Sequence, residues 1–274
     1  MRNFYDSTDK PRAFRDTFLS LWMNRELIRL LVQRDLSVRY KRSVLGLLWT
    51  LINPLLVSLV LWFVFIAIFS ARLPDGTEFA PYVLSGILLI TFFIQGFNQA
   101  ADSISQGAGI LMKVYVPPQV FAFAGAVSNA INFCFGLVAL ALICVITGNG
   151  IALLFPLTFL VILCMLMLIT GLGLVVSVAY IRFDDTRSIF AVIVSLMMYL
   201  VPIFYPREIL SEVVQRIVNA NPLTSYLDVF RFVFTNTGVA TTADWLYMFT
   251  SAVFFLVIGI KFFAKTWPKT VVML

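Results

Sequence analysis

Long apolar runs separated by short polar segments dominate the chain, and the first begins abruptly. Arg34, Arg39, Lys41 and Arg42 form a basic cluster, and no further charge follows until Arg72. A run of about 20 apolar residues spans the hydrocarbon of a bilayer as a helix, while cations stay at its edges. The chain therefore enters a membrane near Val44. Comparable runs predict six spans, at about 44–70, 81–101, 120–147, 151–180, 188–201 and 244–263.

Turn and breaker residues divide these runs. Pro54 is placed to kink the first span by removing a backbone donor. The polar loop Ala71 to Phe79 precedes the second span, which Asp102 is expected to close. The connector Ser103 to Gln119 contains Gly107, Gly109 and the pair Pro117-Pro118, which no helix crosses easily. Gly148, Asn149 and Gly150 return the chain into the fourth span, the charged loop Ile181 to Arg187 follows it, and Pro202 ends the fifth.

Two amphipathic stretches flank this pattern. Between Leu21 and Gln33, Leu27, Ile28, Leu30 and Leu31 lie on one side of a helical wheel and Arg25, Glu26, Arg29 and Gln33 on the other. That pattern predicts a helix lying in the membrane interface. Residues 202–234 are too polar to span and too apolar for a free loop. They predict two short re-entrant helices, the first starting at Pro206, a break at Asn221-Pro222, and Ser225 with Asp228 as a capping box for the second.

The expected fold is thus an all-α integral membrane protein of six transmembrane helices, with an amino-terminal interfacial helix and short re-entrant helices before the last span. Residues 1–43 form a cytoplasmic amino-terminal segment, 44–264 the transmembrane domain and 265–274 a cytoplasmic tail. Composition agrees: 61% of residues are hydrophobic and 12% charged, with mean hydropathy +0.95, whereas soluble domains carry about 25% charged residues. The net charge of +6 does not indicate a nucleic-acid partner, because the basic residues sit beside apolar segments. An even number of spans puts both termini on one side, and the excess of Lys and Arg marks that side as cytoplasmic.

The chemistry is sparse. Histidine is absent, and Cys134, Cys144 and Cys164 lie in apolar runs without metal-ligand spacing. No glycine is directly followed by lysine, so the chain contains no G-x-x-x-x-G-K-[ST] phosphate loop. The acidic residues fall at segment ends, and proton- or ion-coupled carriers need ionisable groups at mid-membrane. No catalytic residue, metal or cofactor is therefore expected in this chain. Energy for any transport would come from outside it.

Arg34-Asp35, Arg39-Tyr40-Lys41, Ser43, Leu45-Gly46, Trp49 and Pro54 resemble the signature of bacterial ABC exporter permeases of the polysaccharide and polyol-phosphate type, which move O-antigen, capsule, teichoic acid or galactan chains. The likeness continues through GAGILMKVYVPP, the loop Arg182 to Asp185, PIFY at Pro202 to Tyr205 and NPLT at Asn221 to Thr224. It covers almost the whole chain in order. One departure is the run Val116, Pro117, Pro118, Gln119, where the family often has a basic residue after its Phe-Pro.

The resemblance implies a permease of the bacterial inner membrane. It would be a homodimer working with two copies of a separate ATP-binding subunit that holds ATP and Mg, and its substrate would be a lipid-linked glycan. The helix before Arg34 would match an interfacial gate helix, and Ser105 to Val116 a coupling helix docking in the ATPase. Lys113, Tyr115 and Pro117 would make that contact, and Asp184 and Asp185 a second one. Arg39, Tyr40, Lys41 and Trp49 would form the substrate entrance, with the cations attracting a pyrophosphate. Tyr199, Phe204 and Tyr205, beside the Pro202 break, would be channel aromatics on which sugars stack. Two alternatives share parts of the pattern: a permease for a drug or small amphiphile, and a membrane-bound transferase relying on Asp184 and Asp185.

Overall fold

A computed structural model of the chain describes residues 19–40, 79–114, 116–148, 150–183, 185–205, 207, 210–235 and 238–273, with scattered positions between Trp49 and Phe63. The span expected at 44–70, its Pro54 kink and the Ala71 loop lie largely outside the described residues. Trp49, Leu56, Val57, Leu59, Val60 and Phe63 are described, and each is helical and exposed.

The described residues contain no strand. Helix α1 covers Arg25–Tyr40, α2 Phe79–Gln106, the single turn α3 Ala108–Leu111, and α4 Gln119–Ile146. After a 3-10 turn at Phe155–Leu157, α5 runs over Thr158–Arg182 and α6 over Asp185–Leu200. The short helices α7, Glu212–Ala220, and α8, Pro222–Thr235, precede α9, Thr242–Thr270. Among the described residues, four helical stretches are long and apolar enough to cross a bilayer: 79–111, 119–146, 155–182 and 242–270. At ~1.5 Å per residue, the 16 residues of α6 reach only about 24 Å, short of the ~30 Å hydrocarbon core.

Helix α2 is the centre of the bundle and is buried along most of its length. Lipid competes with apolar side chains for apolar contact, so membrane helices associate through close packing rather than water exclusion. Small residues supply the closeness. A Cβ on Gly173 of α5 would come within 2.6 Å of Ala100 Cβ on α2, and one on Gly96 within 2.8 Å of Ile169. At the α5–α9 crossing, Gly171 and Gly259 face one another so closely that a Cβ on either would run into the backbone of the other helix. Rings fill the wider gaps: Phe92 stacks on Phe133 at 4.8 Å, and Phe230 of α8 closes on Phe133 at 5.5 Å.

Helix α8 is almost entirely buried, so its polar groups must find partners inside the protein. Tyr226 Oη donates to Met248 O at 3.1 Å and to Cys164 O at 3.3 Å, joining α8 to α9 and α5. The short helix therefore acts as a plug between longer ones.

Several boundaries differ from the sequence expectation. Asp102 does not end α2, which continues to Gln106, and its carboxylate faces Arg187 of another helix. The Asn221-Pro222 break is present, but Ser225 and Asp228 do not cap α8. Pro222 is its first residue, and Asn221 Oδ1 accepts from Leu223 N at 3.1 Å. The capping box occurs instead at α9, where Thr241 and Asp244 exchange side-chain to backbone bonds. Residues 265–270 of the expected tail extend α9, with Pro268 in its last turns. Helix α1 reaches Tyr40, and its covered face is Leu27, Ile28, Leu31, Val32 and Leu36 against the core, whereas Leu30 is 62% exposed.

Candidate functional site

Two polar constellations stand out, one at each end of the bundle. The first lies where α1 crosses α2 and α4, and it surrounds a partly open cavity of about 460 Å³ lined by Arg34, Asp35, Arg39, Gln99, Gln106, Ser128 and Asn132 among others. Helical spacing explains the gathering. Residues 31, 35 and 39 recur every four positions, so the apolar stripe of α1 passes into a polar one as the helix leaves the core.

Arg34 Nε and Nη2 donate to Asp35 Oδ1 at 3.1 and 2.9 Å, and Gln99 Nε2 donates to Asp35 Oδ2 at 3.3 Å. Arg39 Nη2 donates to Asn129 Oδ1 at 3.3 Å, while Asn129 Nδ2 is satisfied by Gly125 O at 3.1 Å. Among these side chains, two guanidinium groups face a single carboxylate. The cavity wall is consequently cationic and rich in amide groups, an arrangement that attracts and holds an oxyanion.

The second constellation surrounds Arg231, which is 2% exposed in the middle of α8. Its Nη1 donates to Pro202 O, and its Nη2 to Tyr82 O and Ile203 O, each at 3.0 Å; its Nε reaches Ser85 Oγ at 3.3 Å. The guanidinium lies 3.5 Å from the centroid of the Tyr82 ring. Among the described residues Arg231 makes no ion pair. Backbone carbonyls at the break after α6, together with Tyr82 O in the first turn of α2, supply its acceptors instead, which is how a cation is held away from water. Arg207 pairs nearby with Asp228 and donates to Asn219 Oδ1 at 2.9 Å.

The sequence-predicted residues distribute unevenly over these sites. Arg39 lines the cavity. Tyr40 ends α1, its side chain outside the described set together with Lys41, Tyr115 and Asp184. Trp49 is 50% exposed. Lys113 is exposed on the turn after α3, Pro117 is half-buried just before α4, and Asp185 is exposed as the first residue of α6. Tyr199 is 73% exposed near the end of α6, and its carbonyl accepts from Tyr205 Oη at 3.1 Å. Burial pushes the Tyr205 hydroxyl pKa above its usual range. Phe204 packs against Phe79, Tyr82 and Val83.

Arg231 is absent from the sequence expectation. Its signal was a lone arginine inside the run Val229 to Phe234, but nothing local identified its partners. Nothing local in the sequence pairs Asp102 with Arg187 either; they meet at 3.3 Å.

The family of ABC-2 type transporters matches residues 26–235, a stretch that includes both constellations. This chain belongs to the ABC-2 type transporter family. Among curated relatives, it is 24% identical to the O-antigen export system permease protein RfbA of Klebsiella pneumoniae over 88% of this chain and 92% of that protein. It is 28% identical to the protein of the same name from Myxococcus xanthus, over 78% of this chain and 82% of that one. The capsule polysaccharide export inner-membrane protein CtrC of Neisseria meningitidis is 26% identical, over 90% and 93%. As an ABC-2 type chain, the protein is a multi-pass membrane transporter subunit, not an enzyme.

Proposed function

We propose that this ABC-2 type chain is the permease subunit of an exporter that carries a lipid-linked polysaccharide across the bacterial inner membrane, driven by a separate ATP-binding subunit. The observation that carries this reading is the collinear likeness, over at least 78% of the chain, to permeases named for O-antigen and capsule export. The cationic cavity at Arg34 and Arg39 supports it chemically. A glycan carried on a lipid phosphate presents an oxyanion at the level of the headgroups, and two guanidinium groups beside amide donors suit such a group.

The permease works as a homodimer of six-span protomers, in which the short α6 completes the fifth crossing with the segment that follows it, with both termini in the cytoplasm, paired with two ATP-binding subunits. ATP and Mg belong to those partners. The turn carrying Lys113 and Pro117 and the exposed start of α6 at Asp185 form the docking contacts, and they lie at the same end of the bundle as the cavity. Closure of the ATPases pushes these connectors and separates the first and fifth spans of the two protomers, opening a path between them. Tyr199 and Tyr205 offer ring faces near the far end of that path.

Deletion of the gene in its host tests the reading. The expected result is loss of surface glycan with the lipid-linked polymer retained inside, restored by the wild-type gene. Unchanged surface glycan with altered tolerance to amphiphilic drugs would overturn it in favour of a drug permease.

A further inference from the structure

Asp102 is the only charged residue of α2, and it sits one turn before that helix ends. Arg187 lies in the first turn of α6, two residues beyond Asp185. Their charged groups stand 3.3 Å apart, and the Asp102 oxygen that faces Arg187 lacks a hydrogen-bond partner among the described residues. The two ends are therefore joined by charge attraction without hydrogen-bond alignment. Such a link survives a change of angle between its helices, because Coulomb attraction depends on distance far more than on direction.

A small aromatic unit surrounds the pair. The Arg187 guanidinium lies 5.5 Å from the centroid of the Tyr180 ring on α5. Tyr180 meets Phe190 of α6 edge-on at 6.2 Å, and Phe190 leans on Phe97 of α2 at 6.1 Å. Phe97, Ala101, Val176, Tyr180 and Val194 form a cluster distinct from the main core. Val194 is the only buried residue of α6, whereas Ile189, Val192, Leu196 and Tyr199 are all more than half exposed. Helix α6 is thus held to the body chiefly where this unit grips it. The link also joins the last turn before the Lys113 connector to the first turn after the Asp185 connector.

We infer that Asp102 and Arg187 form an electrostatic tether through which displacement of the connectors is passed to α6, making them positioning residues for transport. The inference rests on the docking reading above, since it needs the ATPase to act on these connectors. Because both side chains are partly exposed, at 29% for Asp102 and 50% for Arg187, the pair adds little to stability. Its loss should leave a folded protein.

The test uses the full chain in complex with its ATP-binding subunit, reconstituted in vesicles. Its cysteines are replaced, and spin labels are placed through Leu196→Cys on α6 and Val138→Cys on α4, both exposed sites. The expected wild-type result is a change in label separation when ATP hydrolysis is trapped with vanadate. Asp102→Asn and Arg187→Gln should assemble and hydrolyse ATP as before, yet cut the population that shifts by about fivefold, the low end of typical coupling between sites. The exchange Asp102→Arg with Arg187→Asp should restore it. An undiminished shift in the single variants, no recovery in the exchange, or no shift in the wild type would overturn the tether. So would loss of assembly in the single variants. Failure of the docking reading has a separate mark: Lys113→Glu and Asp185→Lys together would leave co-purification with the ATPase intact.

Discussion

Arg231 holds Tyr82 in two ways, donating to its carbonyl at 3.0 Å and placing its guanidinium 3.5 Å from the ring centroid. The contact bridges 149 positions of sequence and joins the short buried helix α8 to the start of α2. The same guanidinium reaches Pro202 O and Ile203 O, so one side chain ties the two carbonyls at the chain break to the first turn of α2. It serves as a clamp on the chain break, with its charge occupied by the protein.

Replacing this clamp should be costly. Lysine has no planar fork, and Arg231→Lys should lower stability by about 1.5–3 kcal/mol, the range for hydrogen bonds to charged groups. Arg231→Met should cost more, because several buried carbonyls lose their donor at once. Thermal unfolding in detergent, followed by fluorescence, measures both, and a loss below that of ordinary surface substitutions would contradict the clamp.

The α5–α9 crossing makes a steric prediction. Gly259→Ala puts a methyl group where the Gly171 backbone stands, so the helices must part, at about 1–3 kcal/mol for an overpacked contact. Gly109→Ala is the matched control. No atom lies within 4 Å of its added Cβ, and in the short helix α3 it should be neutral or slightly stabilising. Comparison of midpoint temperatures decides, with equal effects at the two positions counting against the packing.

At the start of α9, Thr241→Ala removes a side chain that accepts from Asp244 N at 3.3 Å, for an expected loss of about 1 kcal/mol. Asp244→Ala should exceed it. That carboxylate also accepts from Thr241 N at 2.9 Å and from Ser225 Oγ at 3.1 Å, tying α8 to α9. Reversal of this order in an unfolding series would show that the cap, not the interhelical bond, dominates.

Arg39 separates substrate attraction from topology. Arg39→Glu leaves most of the basic amino-terminal cluster in place, so insertion should persist, and glycan export should drop about tenfold, the factor equivalent to 1.4 kcal/mol. Arg39→Lys keeps the charge and should retain much of the activity. Surface glycan, membrane-inserted protein and co-purified ATPase are measured together; unchanged export with normal insertion would leave the cation a topological role alone.

The apolar runs announced a membrane protein because transfer of such segments out of water depends on composition over a window, a property that needs no partner. The bounds of α4 and α6 followed within a few residues, as did the end of α5, the start of α9 and the break at Asn221-Pro222, where proline acts through its own ring and missing donor. The motifs at Arg34 to Pro54 and Gly107 to Pro118 pointed to the family for the same local reason. Tertiary structure decided what those local signals leave open. It set which face of α1 is covered, that Asp102 lies inside a helix and meets Arg187, that Asn221 caps α8 while Ser225 turns to Asp244, and that Gly259 must be bare because the Gly171 backbone crosses it. Above all it gave Arg231 its acceptors, from residues 82, 202 and 203. A buried charge is tolerable only where distant parts of the chain bring their open carbonyls together, and pairings across such separations arise from packing.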